Sequence, residues 1–529
     1  MVDNLLLIIS LLFIVSMLSM LSDKLRISYP IFLVLTGLII SLVPGIPKIS
    51  MDPDLVFIIF LPPLLYAAAW NTSWKEFWQL RRPVAMLAIG LVIFTAGIVA
   101  FIANEMIPDF SLALGFLLGS IVSPPDAVAA TSVLQNLKVP KRVVALLEGE
   151  SLVNDASSLI VFRFALASIF TGQFILWKAG VNFFMVAGMG VLIGLAIAHI
   201  VYAIHRFLPT TASIDTAITL ISPYLMYIVA EHFHYSGILA VVSGGLFLSF
   251  RSNDIFSYST RLQSESVWNT LVFLLNGIVF ILIGLQLHTI INGLGEYSLA
   301  SAVLYSIVIS ITVIIIRIIW VFPGAYLPRI LSKKIREREE RPGWKSVFIV
   351  GWSGMRGVVS LASALAVPLT LTTGEAFPQR NLVLFITFVV ILFTLVIQGL
   401  SLPFLIKYLQ IKVNENETAE QDQAIRLRLA AAVLSFLETE YKEESETIDA
   451  FNRLKARYER MVEIAGNKLM EKESESQPSF LPKYRQMLLE IVAVRRKELA
   501  EIRRDHLYSD ELIRKKEFEL DLEEARLRR

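Results

Sequence analysis

The chain of 529 residues contains no cysteine, and only 18% of its residues are charged. Without cysteine it can form no disulfide and no thiolate metal site, and it offers no cysteine nucleophile. Most redox and many hydrolytic functions are therefore excluded. Soluble domains carry about a quarter charged residues, whereas 55% of this chain is hydrophobic. The composition predicts a protein of the lipid bilayer, and the net charge of +2 favours no nucleic-acid partner.

The charged residues are concentrated at the C-terminal end. Residues 411–529 hold 23 of the 48 Lys and Arg and 26 of the 46 Asp and Glu. They also place apolar residues at three- and four-residue spacing, which is typical of amphipathic helices. We therefore expect a membrane domain over residues 1–410 and a helical cytoplasmic tail over residues 411–529, with a linker at 472–482. The tail is either a solvated appendage or a regulatory element.

Long apolar segments recur along the membrane domain. A helix crosses a bilayer core of about 30 Å with roughly 20 apolar residues, and thirteen segments are apolar enough. The sequence thus predicts an all-α polytopic membrane protein with about thirteen transmembrane helices. These segments lie approximately at residues 4–21, 28–43, 54–70, 84–104, 111–134, 143–169, 179–204, 213–233, 235–250, 265–288, 299–327, 345–371 and 381–409.

Lys and Arg are distributed unevenly over the loops between these segments. One alternate set of loops carries nearly all of them, including the run from Arg329 to Lys345, while the other set has only Lys48, Lys178 and Arg380. Cytoplasmic loops are enriched in basic residues, so the first set is predicted to face the cytoplasm. This orientation places the N-terminus outside and the C-terminal tail inside a cell membrane.

Two predicted spans are interrupted by helix-breaking residues. Span five contains Ser123-Pro124-Pro125-Asp126, whose prolines remove two backbone donors. Span twelve contains Gly351-Trp352-Ser353-Gly354-Met355-Arg356-Gly357. Irregular backbone at membrane depth is tolerated only beside a cavity or against protein. A pair of broken helices in two halves of a chain indicates an inverted-repeat secondary transporter, with its binding site where the breaks cross.

Span six carries a compact set of oxygen donors. Glu150, Ser151, Asn154 and Asp155 lie on one face of a helix. Carboxylate, hydroxyl and amide oxygens suit a hard cation such as sodium, and burial favours the protonated form of a carboxyl group. One buried carboxylate can therefore bind either a cation or a proton, which is the chemistry of an exchanger.

Arg317 lies inside span eleven, where a charge is costly without a partner. Glu150 and Asp126 are the candidate anions in the other half of the chain, and Arg356 requires the second of them. If two arginines neutralise two acids, Asp155 alone remains free to titrate.

Other polar residues lie near the ends of the predicted spans. Glu231, His232 and His234 cluster at one outer end, where their spacing favours a solvated loop over a zinc site or a pH sensor. Arg163 is interpreted as a snorkelling side chain. Asp215, at a cytoplasmic end, is interpreted as a solvated cap.

These motifs resemble those of the monovalent cation:proton antiporter family 1, the sodium/proton exchangers of the NhaP type and their animal and plant relatives. The resemblance covers roughly residues 1–410. Its most specific piece is the run from Glu148 to Asp155, EGESLVND, which is similar to the family's E-S-x-x-N-D signature. Supporting pieces are Phe60-Leu61-Pro62-Pro63-Leu64-Leu65-Tyr66, the break at Ser353–Gly357, the intramembrane Arg317 and Gln398-Gly399.

The resemblance implies an NhaA/NhaP-like antiporter fold with inverted repeats and two broken crossing helices. It implies a homodimer, with a dimerisation domain and a six-helix core that carries the ion across in an elevator-like movement. It implies no cofactor, only the transported Na⁺ and H⁺. The activity implied is an electroneutral sodium/proton antiport that extrudes cytoplasmic Na⁺, with Li⁺ as a further candidate cation, and supports pH homeostasis.

The resemblance also implies roles for single residues. The cation- and proton-binding set would be Asp155, Asn154, Glu150, Ser151 and Asp126, with Na⁺ itself at Asp155, Glu150 and Ser151. Asp155 would be the carboxylate for which cation and proton compete. Asn154 occupies the place of a second aspartate in electrogenic relatives, so exchange of one cation for one proton is implied.

Two arginines would compensate charge. Arg317 would hold Glu150, while Arg356 and Asp126 would neutralise the half-helix ends at the crossing. The chain departs from the family where many relatives read Thr-Asp-Pro, because it has Pro125-Asp126-Ala127. Ser123 is the candidate extra ligand in place of the missing threonine.

The departure at Pro125 leaves an alternative open, a potassium/proton antiporter on the same scaffold. An ion channel is less consistent with the sequence, because no repeated filter motif is present. A membrane enzyme is disfavoured too, since no nucleophile or metal constellation is evident.

Overall fold

The computed structural model describes residues 2–25, 27–43, 53–134, 137, 139–172, 176–294, 297–338, 341–371, 374–411, 415–442, 448–470, 480–504 and 510–528. Within these ranges the regular secondary structure is helical, apart from one isolated bridge between Thr370 and Ala376. The chain divides into two compact units, Met1–Val413 and Asn414–Arg529.

The first unit is a succession of helices. They are α1 (Val2–Leu25), α2 (Tyr29–Ser41), α3 (Pro53–Asn71), α4 (Trp74–Gln79), α5 (Arg81–Ala85), α6 (Val92–Met106), α7 (Leu112–Val122), α8 (Ala127–Leu134), α9 (Lys141–Thr171), α10 (Leu176–Phe207), α11 (Ala212–His232), α12 (Gly237–Ile255), α13 (Tyr258–Leu285), α14 (Leu287–Asn292), α15 (Leu299–Leu331), α16 (Lys333–Arg338), α17 (Trp344–Trp352), α18 (Val358–Leu365), α19 (Arg380–Phe393) and α20 (Gly399–Leu409). Two π-helical segments, Met86–Leu91 and Thr394–Gln398, join α5 to α6 and α19 to α20.

The predicted all-α polytopic membrane fold is confirmed. Among the described residues, eight helices are long and apolar enough to cross a membrane, and the bent pair Ile9–Leu25 and Tyr29–Ser41 makes a ninth if it is one span. Each of the thirteen predicted segments overlaps a helix or a pair of helices. The count of thirteen spans and the inverted repeats remain predictions.

Both helix breaks occur where the sequence indicates them. The helix α7 ends at Val122 and α8 begins at Ala127, so the two prolines and Asp126 lie outside helical structure. The helix α17 ends at Trp352 and α18 begins at Val358. Each break leaves carbonyl groups at one half-helix end and N–H groups at the other without helical partners.

Small residues allow some helices to pack very closely. Gly115 and Gly119 of α7 face Ala100 and Ala96 of α6, and a Cβ on either glycine would lie 2.7 Å from the alanine Cα. Such an approach is possible only without a side chain, and it is a usual means of helix association in membranes. It holds α7 against α6 and so positions the first break.

Buried apolar side chains form two clusters, and α9 contributes to both. One cluster, around Met226, joins α3 to α10, α11 and α12. The larger one, around Phe388, includes α6, α7, α15 and α19. Leu152 of α9 belongs to the first cluster and Leu147 to the second. The helix α9 therefore lies where the two clusters meet.

The second unit contains α21 (Glu415–Glu440), α22 (Asp449–Met470), α23 (Phe480–Arg504) and α24 (Asp510–Arg528). The helices pack in pairs, α21 with α22 and α23 with α24. Across the second pair, Arg496 contacts Asp521 at 2.5 Å and Glu524 at 2.8 Å. Most of the predicted linker at 472–482 lies outside the described residues.

Candidate functional site

The two helix breaks contact each other directly. The Asp126 N–H donates to the carbonyl oxygen of Met355 at 2.7 Å. Gly357 lies so close to Asp126 that a Cβ at this position would overlap the carboxylate. Glycine therefore permits the approach of the two breaks.

The Asp126 carboxylate lies at the N-termini of two half-helices. The Val128 N–H donates to Asp126 Oδ1 at 2.8 Å, and the backbone N–H groups of Ala129 and Val358 also face this carboxylate. Val128 and Ala129 belong to the first turn of α8, and Val358 begins α18. A carboxylate satisfies exposed N–H groups and is favoured by the helix dipole at this end. One side chain thus caps both half-helices.

Arg356 provides the opposite charge at a half-helix C-terminus. Its Nε donates at 3.0 Å to the carbonyl of Val122, the last residue of α7, and its guanidinium also donates to Gly354 O. Its backbone N–H donates to Thr394 Oγ1 at 3.1 Å. The expectation that Arg356 would pair with an acid is wrong, because its hydrogen bonds go to carbonyl oxygens that the breaks leave without helical donors.

Arg317 binds Glu150 through two parallel hydrogen bonds. Its two terminal nitrogens donate to Glu150 Oε1 at 2.5 Å and Oε2 at 2.8 Å. Nε and one terminal nitrogen also donate to Val350 O at 3.3 and 3.2 Å. Both charged side chains are 1% exposed, and bidentate geometry is the strongest form of such a pair. The contact joins α15 to α9 and α17.

The polar face of α9 also holds the first break. Asn154 Nδ2 donates to Pro125 O at 3.0 Å, and the Ala127 N–H donates to Ser151 Oγ at 3.3 Å. Ser123 instead donates to Ser120 O at 3.1 Å, within its own helix. Ser123 does not line the cavity described next, so its predicted place as an extra ligand is not supported by the geometry.

A cavity of about 290 Å³ lies against the carboxylates of this region. Asp155, Asp126, Ser151 and Glu148 line it, whereas Glu150 and Asn154 do not. Glu148 precedes Asp155 by seven residues on α9, so the cavity extends about 10 Å along that helix. Of the predicted set, Asp155, Asp126 and Ser151 therefore line the cavity. Glu150 and Asn154 instead hold the surrounding helices through their hydrogen bonds.

The opposite wall of the cavity comes from α2, α3 and α13. Tyr29 and Asn276 line this wall, and so does Asn71, the last residue of α3. The search for intramembrane charges does not reveal Tyr29, because its side chain is neutral. Asn71 lies at the end of α3 and Glu148 lies near the start of α9, and both of these helix ends adjoin basic loops. The cavity therefore extends toward the predicted cytoplasmic side.

Arg163 and Glu231 form an ion pair away from this cavity. Arg163 contacts Glu231 Oε2 at 2.6 Å, and Glu231 Oε1 accepts a hydrogen bond at 3.1 Å from the Gly237 N–H at the start of α12. Arg163, interpreted as a snorkelling side chain, thus has a carboxylate partner that the sequence does not indicate. Glu231 is engaged in this pairing and capping, which gives the zinc alternative no support.

Asp215 is buried rather than solvated. His205 Nδ1 lies 2.8 Å from Asp215 Oδ1, and Thr260 Oγ1 donates to Asp215 Oδ2 at 3.1 Å. The interpretation of Asp215 as a solvated cap is wrong, because α10 and α13 supply polar partners that cover it. Sequence spacing within α11 carries no information about these neighbours.

Comparison with known proteins identifies related sequences. The profile of one family, described as sodium/hydrogen exchanger, transmembrane, matches residues 8–408. The "Sodium, potassium, lithium and rubidium/H(+) antiporter" of Bacillus pumilus is 34% identical over 388 residues, which are 72% of this chain and 58% of that protein. An "Uncharacterized Na(+)/H(+) exchanger" of Mycobacterium tuberculosis is 30% identical over 517 residues, covering 96% of this chain and 93% of the relative.

A solved structure shares the fold. The sodium proton antiporter MjNhaP1 of Methanocaldococcus jannaschii matches with a TM-score of 0.59 and 21% identity, over 75% of this chain and 99% of that chain. At this identity the likeness concerns the fold alone.

The match to the Bacillus pumilus relative spans little more than half of that protein's length, at 58%.

Proposed function

This chain belongs to the sodium/hydrogen exchanger family, and on that premise we propose that it exchanges cytoplasmic sodium for protons across the cell membrane. The observation that carries the proposal is the position of Asp155 on the 290 Å³ cavity beside Asp126 and Ser151. Among the described residues, the Asp155 carboxylate accepts no hydrogen bond from protein and forms no ion pair. It is therefore available to a cation or a proton that enters the cavity.

The charges around Asp155 support exchange on a single carboxylate. Glu150 is neutralised by Arg317, and Asp126 is stabilised by the N–H groups of two half-helices. Asn154 contributes a neutral amide. Asp155 then carries either one monovalent cation or one proton in each crossing, so that the exchange is electroneutral.

The geometry also refines the cation shell. Both oxygens of Glu150 accept hydrogen bonds from Arg317, and Glu150 does not line the cavity. We assign Na⁺ to Asp155 and Ser151, with Asp126 close by, and assign Glu150 and Asn154 to bracing the break. The cation would approach from the side of Glu148 and Asn71, which corresponds to an inward-open state of a homodimeric carrier with a cytoplasmic tail.

Potassium/proton exchange is the second candidate. Pro125 stands where many members of the family have threonine, and a relative at 34% identity is named for sodium, potassium, lithium and rubidium. Without the threonine hydroxyl the cation shell has one ligand fewer, which alters its selectivity among monovalent cations.

Proteoliposomes with an imposed proton gradient test both candidates. Sodium, lithium and potassium are added separately, and the membrane potential is clamped with a gradient of a permeant lipophilic cation, which is not a candidate substrate, or collapsed. Relaxation by sodium that does not depend on the potential would support electroneutral sodium/proton exchange. Relaxation by potassium alone would favour the second candidate, and a rate that follows the clamped potential would contradict electroneutrality.

A further inference from the structure

A second cavity, of about 260 Å³, lies at the ends of α5, α9, α15 and α17. Its charged lining residues, among those described, are all arginines: Arg82, Arg142, Arg329 and Arg341. Arg82 and Arg142 lie in the first turns of α5 and α9, Arg329 lies in the last turn of α15, and Arg341 precedes α17. The cavity therefore concentrates positive charge on the side that carries the basic loops.

The same cavity has an apolar floor. Leu87, Val143, Val321 and Val347 line it, and each is at most 5% exposed. Arg82, Arg142 and Arg341 are exposed. A cationic rim above an apolar floor is complementary to a molecule with one anionic end and one hydrocarbon end.

Two helix N-termini add to the positive potential. The helices α9 and α17 begin beside Pro140 and Gly343, which both line the cavity, and neither N-terminus has a side-chain cap. Exposed N–H groups and the helix dipole favour an anion at this end. The helix ends and the arginines act in the same direction.

We propose that this cavity binds an anionic phospholipid of the cytoplasmic leaflet. The phosphate lies among Arg82, Arg142, Arg329 and Arg341, and an acyl chain lies on the apolar floor. Anionic lipids are attracted to basic residues at the membrane surface. A small inorganic anion would use the rim and leave the apolar floor exposed to water, which favours a lipid over a free anion.

The bound lipid stabilises the helices that carry the buried ion pair. Val350 lines this cavity, and its carbonyl accepts the hydrogen bonds from Arg317. Arg317 in turn binds Glu150 on α9. A ligand that contacts α9, α15 and α17 together is thus expected to raise the melting temperature of the protein, because it binds the folded state alone.

Thermal unfolding of the purified full chain in neutral detergent tests the proposal. Phosphatidylglycerol, phosphatidylcholine and inorganic phosphate are added separately at equal concentration. We expect phosphatidylglycerol to raise Tm and the other two to leave it unchanged. An equal rise with phosphatidylcholine would overturn the need for an anionic headgroup, and an equal rise with inorganic phosphate would show a free-anion site instead of a lipid site.

Variants locate the effect in the cavity. The double variant Arg142→Gln/Arg341→Gln is expected to bind phosphatidylglycerol roughly 30-fold more weakly in a native mass spectrometry titration, the loss expected for two basic groups. Arg251→Gln removes the same charge from an exposed residue outside the cavity that pairs with Asp254, and should keep wild-type affinity. If the double variant does not fold, Arg341→Gln alone should weaken binding roughly fivefold. Unchanged affinity in the folded cavity variant would overturn the proposal.

Discussion

Arg317 and Glu150 are 167 residues apart in the chain, yet the guanidinium of one binds both carboxylate oxygens of the other. The pair is almost fully buried, so water can replace neither partner. Because the same guanidinium binds Val350 O just before the second break, this contact connects the polar face of α9 to the second broken helix.

Removal of one partner should therefore destabilise the protein strongly. We expect Arg317→Gln to lower the free energy of unfolding by about 3–5 kcal/mol, because it leaves Glu150 charged and buried without its counterion. The measurement is the Tm and the folded yield of the purified variant. Arg163→Gln is the matched control, since it breaks an ion pair with a 44% exposed arginine, which is worth about 0–1 kcal/mol. Equal losses in the two variants would contradict the assigned role of the buried pair.

Asp155→Asn should abolish exchange and preserve the fold. The amide is similar in size to the carboxyl group but cannot carry a proton in exchange for a cation. We expect no cation-induced relaxation of a proton gradient in proteoliposomes, with a Tm near that of the wild type. Asp23→Asn changes an exposed carboxylate at the end of α1 in the same way and should retain full exchange. Wild-type rates in Asp155→Asn would exclude Asp155 as the transport carboxylate.

Gly357→Ala tests the contact between the breaks. The added Cβ would overlap the Asp126 carboxylate, so the breaks must separate. Such overpacking typically lowers the free energy of unfolding by about 1–3 kcal/mol. We expect lower Tm and impaired exchange. Gly97→Ala in α6 is the control, because a Cβ there has nothing within 4 Å. If the two variants behave alike, the crossing tolerates a wider separation than its geometry indicates.

Asn154→Asp tests the brace on the first break. It replaces the Nδ2 donor to Pro125 O with an oxygen, so that two acceptors face each other, at an expected cost of about 1–3 kcal/mol. The loss in Tm should shrink as the pH falls, since a protonated carboxyl group can donate to the carbonyl. Asn154→Ala lacks any donor, and its loss should not depend on pH in this way. The same pH dependence in both variants would argue against the hydrogen bond as the cause.

The tail offers a test in the aqueous phase. Hydrogen bonds from Arg528 and Arg496 hold the pKa of Glu524 below its usual range. Because the folded-state pKa is depressed, the stability that Glu524 contributes is present above its ordinary pKa and is lost as the pH falls through the lowered value. Hydrogen exchange of α24 in the full chain, corrected for intrinsic rates, should therefore show weaker protection at acidic pH. Glu524→Gln should remove this component, and an unchanged pH response would refute it.

Local sequence was sufficient for many features of this molecule. Apolar runs, the prolines at 124 and 125 and the glycines of the second break act within a few residues along the chain. They therefore reveal a polytopic helical membrane protein and the positions of its two broken helices. The spacing of Ser151 and Asp155 likewise places both on one helix face, and both line the same cavity.

The partners of buried charges depended on the packing of distant helices. Arg356 was expected to bind an acid and binds carbonyl groups, because the packing of the second break against α7 brings its guanidinium to the Val122 carbonyl, which the first break leaves without a helical donor. Asp215 was expected in water and lies beside His205, since α10 covers it. The period of a helix specifies which side chains share a face. Which helix packs against that face depends on contacts between residues far apart in sequence. Such contacts determine which residues line the cavity and which carboxylate binds Arg317.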